Sequence, residues 1–82
     1  MARASTTQGN LMTTAEAVRL IGMLEEITSR TPSEELNAAV AVLLPQVRAC
    51  VPADQQAYFD RYCERSDYRA FQARMEASRE AA

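Results

Sequence analysis

The stretch TPSEELNAAVAVLLPQVRACV, Thr31–Val51, decides the fold. Thr31 fits the N-cap of a helix and Pro32 its first helical position, where the missing proline N–H costs nothing. Glu34 completes a capping box, with hydroxyl and carboxylate each satisfying a free backbone N–H. From there Leu36, Ala39, Val40, Leu43, Leu44, Val47, Cys50 and Val51 fall within about 140° of arc on a helical wheel, a core-facing stripe. Pro45 sits on the opposite side. It frees the carbonyl of Ala41, which water satisfies on a solvated face, so the expectation is one kinked helix rather than two.

A helix with one apolar face needs other helices to cover it, and the flanking sequence supplies them. Upstream, Thr13 and Glu16 have the capping-box spacing. Ala17, Leu20, Ile21, Leu24, Ile27 and Thr28 then recur at helical spacing, giving a helix from Thr13 or Thr14 to about Ser29–Arg30. Residues 1–13 read as a disordered N-terminal tail, with Leu11 and Met12 placed to dock on the first helix as a hydrophobic staple. Downstream, a helix starts near Pro52 or Ala53 and carries Tyr58, Phe59, Tyr62, Cys63 and Ser66 on one face. After Ser66 the apolar phase changes, so Ser66 reads as the N-cap of a further helix bearing Tyr68, Phe71 and Met75. Glu76 to Ala82 is expected to fray. Nothing alternates with period two, so no strand competes. The fold class is therefore all-α: a small antiparallel bundle of three to four helices, one domain over residues 14–80.

The bulk numbers bound the function. At 82 residues the chain is one domain at most, and so short a chain commonly gains stability from disulfides, metals or self-association. The formal net charge of −2 argues against coating nucleic acid through bulk charge. All nine basic residues are Arg, a composition that suggests a GC-rich bacterial or phage genome. No long apolar run marks a membrane span, and the N-terminus lacks a signal-peptide centre, so a cytoplasmic location is expected by default.

Chemistry finds little to work with. The absence of His removes imidazole catalysis and imidazole metal ligation. The adjacent pairs Glu25/Glu26 and Glu34/Glu35 point in different directions on a helix and do not converge. Asp54, Asp60 and Glu64 have helical spacing but no second set of ligands. No Gly-rich phosphate loop and no nucleophile–base pair occurs. If the second and third helices form a hairpin, Cys50 and Cys63 lie roughly 13 Å apart at 1.5 Å per residue, too far for a disulfide. Both read as free thiols on apolar faces. No catalytic residue, metal or cofactor is expected.

Two surfaces remain. Arg61, Arg65 and Arg69 are spaced i, i+4, i+8 beside tyrosines, with no acid four residues from any of them. An unpaired stripe of this kind suits an acidic protein surface or phosphate. Residues 48–82 nonetheless carry as many acids as arginines, which disfavours nucleic acid. Tyr68, Phe71 and Met75 have the spacing of helix-in-groove anchors, and lie out of phase with an aromatic set already given to the core. They are either the last wall of the chain's own core or a face that docks on a partner or second subunit, and the phase change favours the second. The sequence therefore favours a non-enzymatic interaction module, an adaptor, anti-activator or inhibitor. It would bind a protein through Tyr68, Phe71, Met75, Arg61, Arg65 and Arg69, as a homodimer. The alternative is a DNA-binding regulator of helix–turn–helix type, with Arg69, Gln72 and Arg74 reaching bases.

Overall fold

The capping box at Thr13 is formed. In the computed structural model, which describes residues 11–81, the Thr13 N–H donates to Glu16 Oε1 at 2.8 Å and the Glu16 N–H donates to Thr13 Oγ1 at 3.1 Å. Helix α1 then spans Thr14–Arg30 and α2 Glu34–Cys50. A 3-10 turn, Ala53–Gln55, leads into α3, Gln56–Cys63, and α4 spans Ser66–Ala81. No strand occurs among the described residues. The chain is an all-α helical bundle, and the break before Ser66 is present.

The tail expected over residues 1–13 lies outside the described residues up to position 10. Its last three residues are placed: the Met12 N–H donates to the Cys50 carbonyl at 2.9 Å, and the Met12 side chain packs on the core. The far end of the chain is also more ordered than the sequence suggested. Helix α4 continues to Ala81 because Met75 and Ser78 are buried near its end.

The N-cap of α2 is Ser33, not Thr31. Ser33 has extended backbone, and its hydroxyl accepts from the Leu36 N–H at 3.2 Å. Thr31 instead ends α1, its N–H donating to the Ile27 carbonyl at 3.0 Å. The reason is length. The chain needs residues to reverse direction, and a cap at Ser33 leaves Thr31 and Pro32 for that turn. It also sets Glu34 and Glu35 in the first turn, against the positive end of the helix dipole.

Three hydrogen bonds fix the topology. Met12 bonding to Cys50 brings the start of α1 to the end of α2, so these helices run antiparallel. Asn37 Nδ2 donating to Ser78 Oγ at 3.4 Å brings the start of α2 to the end of α4, so these are antiparallel too. The Thr14 N–H donates to Gln55 Oε1 at 3.0 Å, which anchors the 3-10 turn against α1. Helix α2 is thus the central element, and α4 is its most extensive partner. Helix α3 does not form the expected hairpin with α2. The segment Ala53–Cys63 turns by 103° from the axis of α2 and closes one end of the bundle.

The buried core comprises Ala17 and Ile21 of α1, Val40, Ala41, Leu44 and Val47 of α2, and Val51 after it. Phe59 of α3 joins them, with Tyr68, Phe71 and Met75 of α4. On α2 this stripe is rotated by roughly 60° from the apolar stripe of the sequence, toward Asn37 and Ala41. Docking of α4 pulls it there. Ala41, expected to offer its carbonyl to water, is wholly buried, while Ala39 and Leu43 are left exposed. The helix stays continuous through Pro45.

Candidate functional site

Tyr68, Phe71 and Met75 are the inner wall of the bundle. All three are almost inaccessible to solvent within a single chain, and this corrects the expectation that they face a partner. The phase change at Ser66 marks a change of helix direction: α4 leaves α3 and lies back along α2, so both aromatic sets point inward. Phe59, Tyr62, Tyr68 and Phe71 form a ladder of tilted ring pairs with centroids 6.4, 5.7 and 6.2 Å apart, a favourable geometry for aromatic contacts. Tyr58, expected in the core, is 62% exposed, because the short α3 buries only its Phe59 edge.

The arginine stripe is broken by the same turn. Arg61 lies on α3, Arg65 between the helices and Arg69 in the first turn of α4. Arg61 stacks over the Tyr58 ring at 5.7 Å and Arg65 over the Tyr62 ring at 5.7 Å. Arg65 also approaches Asp67 at 3.7 Å. Arg69 has no ion pair among the described residues. Helix α4 does not present Arg69, Gln72 and Arg74 on one face. Arg69 and Arg74 lie on opposite edges, roughly 140° apart, and Arg74 stacks over Phe71 at 5.8 Å. The centre of its outer face is Ala70, Ala73 and Ala77, a poor reader of base edges.

A cleft of about 290 Å³ opens where α2, α3 and α4 meet. Leu44, Phe59 and Tyr68 form its apolar base, and Arg48, Asp60 and Glu76 stand at its sides. Arg48 Nε and Nη2 donate to Asp60 Oδ1 and Oδ2 at 2.7 and 2.8 Å. This bidentate pair ties α2 to α3 and holds the Asp60 carboxyl below the usual carboxylate range. The two charges are spent on each other. Burial pushes the Cys63 thiol up, although the nearby Tyr68 hydroxyl works the other way. Burial likewise raises Tyr68. The thiolate is the reactive form of cysteine, so this environment quiets Cys63. Both cysteines are free thiols. Among the described residues no group of His, Cys, Asp and Glu is arranged to hold a metal ion.

The other accessible feature is apolar and was missed in the sequence. On α1, Met23 and Ile27 are 54% and 47% exposed; on α2, Val42 and Leu43 are 44% and 42% exposed. Their placement follows from what each helix already covers. Helix α1 turns Glu25 toward Asp67, Arg74 and Arg65; helix α2 turns Asn37 and Leu44 toward α4. On the antiparallel α1–α2 pair, the remaining edges, Leu20–Met23–Ile27 and Ala39–Leu43, then fall on the same side, away from α3 and α4. Ile27 and Leu43 thus lie outside the core that their helical spacing predicts. Met23, Ile27 and Leu43 leave apolar surface on the order of 300 Å² on that side, at the lower end of the largest patches found on monomers, while Val42 lies about 100° further round α2.

Among the described residues no single helix is long and apolar enough to cross a membrane. Helix α2 and the segment Ala53–Cys63 pass such a test only together, across their 103° bend. Comparison of the chain with protein families, with curated proteins and with solved structures finds no match, so the functional reading rests on geometry.

Proposed function

We propose that this chain is a non-enzymatic interaction module that binds a protein through the outer face of the α1–α2 pair. The observation that carries the reading is the exposed edge of Met23 and Ile27 on α1 and of Ala39 and Leu43 on α2, bordered by half-buried Leu20, with the aromatic residues all but Tyr58 turned inward or half-buried. Methionine suits such a surface because its unbranched thioether adapts to a partner. The paired charges of the cleft and its quieted thiol support a binding role over a catalytic one. The arginines of α3 and α4, partly occupied by stacking on tyrosines, take a secondary part at most.

The test is a tagged bait in nuclease-treated lysate of the encoding cell, compared with Met23→Glu and Leu43→Glu baits. Both positions are surface-exposed, so the fold should survive, as circular dichroism would report. The expected result is one dominant captured protein, a second copy of the chain included, lost in both variants. Capture that is indifferent to both substitutions would remove this face from the function.

A further inference from the structure

We infer that the occupant of this face is a second copy of the chain, with α1 packed antiparallel against α1 of the partner and Met23 on the two-fold axis. The inference rests on the binding role given to the α1–α2 face and names its partner.

The outer edge of α1 reads Glu16, Leu20, Met23, Ile27, Arg30. The spacing alternates four and three, which is the seam of a helix pair. Its outer positions, Glu16, Met23 and Arg30, drift only about 20° per seven residues, so they remain on one edge. The seam has an acid at one end, exposed Met23 and Ile27 with half-buried Leu20 in the middle, and a base at the other. Reversed, it complements itself. Glu16 meets the partner's Arg30, Leu20 meets the partner's Ile27, and Met23 meets the partner's Met23. Ile27 and Arg30 repeat these pairs on the other side of the axis. A two-fold interface uses the same patch on both subunits, so self-complementarity of this kind is its requirement. A parallel pairing would instead set Glu16 beside Glu16 and Arg30 beside Arg30.

The end groups are free to serve. Glu16 spends Oε1 on the Thr13 N–H, which leaves its other carboxylate oxygen. Arg30 Nη2 contacts Glu26 at 2.8 Å, with both side chains largely exposed, and a guanidinium has five N–H donors to share. Leu43 and Ala39 of α2 flank the seam and extend the contact, so the two α1–α2 pairs form a four-helix layer across the axis. Closure of this face also answers the small core of an 82-residue chain, since short domains commonly gain stability by self-association.

Equilibrium sedimentation of the full chain, paired with oxidative cross-linking of Met23→Cys and Ile27→Cys variants, tests the arrangement. The expected result is a dimer that cross-links readily through position 23. Position 27, which faces the partner's Leu20, should give little beyond the wild-type background. Arg30→Glu should raise the dissociation constant about tenfold, by losing two surface ion pairs and opposing like charges. A dimer that fails to cross-link at position 23 would overturn the register. A pure chain that stays monomeric at the highest soluble concentration would overturn the second copy as occupant. If lysate capture were still lost in Met23→Glu, the interaction role itself would survive that result.

Discussion

Phe71 carries the largest share of the decision between core and contact surface. It is buried between α4 and α2, with Tyr68 against one side of its ring and Arg74 over its face. Removing it leaves a cavity in a chain with little core to spare. Phe71→Ala should therefore cost about 3–5 kcal/mol, the usual range for a buried Phe. Tyr58→Ala should cost under about 1 kcal/mol, the worth of its exposed cation–π stack on Arg61. Urea unfolding followed by circular dichroism measures both; equal losses would contradict the burial pattern. Residue-level reading of the sequence went astray at these two positions for one reason. A helical wheel gives the phase of an aromatic along its own helix, and Tyr58 is in phase with Phe59 and Tyr62. Which side of that phase is covered depends on where the next helix lies, and this is a property of tertiary packing.

At the scale of elements, local chemistry was readable wherever a side chain answers to its own backbone. The Thr13–Glu16 box and the end of α1 at Arg30 rest on contacts within a few residues. The break before Ser66 was legible from the phase change, but Ser66 is the first residue of α4 rather than its N-cap. Among the described residues no hydrogen bond of its hydroxyl caps the helix. The start of α2 was harder because Thr31 and Ser33 both have cap chemistry, and only the length of the reversing turn chooses between them. Ser33→Ala should destabilise the fold by about 1 kcal/mol, since it strips the Leu36 N–H of its acceptor. Thr31→Ala should cost clearly less, because Thr31 serves through its backbone N–H, which alanine keeps. Thermal unfolding of the two variants ranks them, and the reverse order would return the cap to Thr31. The rotated face of α2 shows the limit of patterning. Its apolar residues outnumber the positions that α1 and α4 can cover, so wheel arithmetic found a stripe wider than the buried one. The excess, Ala39 and Leu43, is the contribution of α2 to the proposed interface. It was legible as apolar and illegible as exposed.

Over the whole molecule, α1 is held less firmly than the α2–α4 pair, and Glu25 is its one ionisable group set against the rest of the bundle. Burial raises the Glu25 carboxyl above its ordinary value, and nearby Asp67 adds to this, while Arg74 and Arg65 offset part of it. Tyr62 is raised too, chiefly through burial and next through the charge of Glu25. The sign follows from proton binding. Between the ordinary glutamate pKa and the raised folded one, the native state binds more protons than the unfolded chain, so stability falls as pH rises through that window. Above it, the charged Glu25 opposes docking of α1 by a constant amount, reduced by solvent because the site is mostly accessible. Glu25→Gln keeps the size of the side chain and removes the charge. It should raise the melting temperature at neutral pH, and the gain should shrink as pH falls through the window. Asp60 works in the opposite direction, its pair with Arg48 lost as pH falls through its lowered value. Melting temperatures of wild type and Glu25→Gln from neutral pH down to the ordinary glutamate range separate the two effects, since Asp60 is common to both chains. A Glu25→Gln gain that persisted unchanged at the acid end would show that the charge is not what opposes the docking of α1.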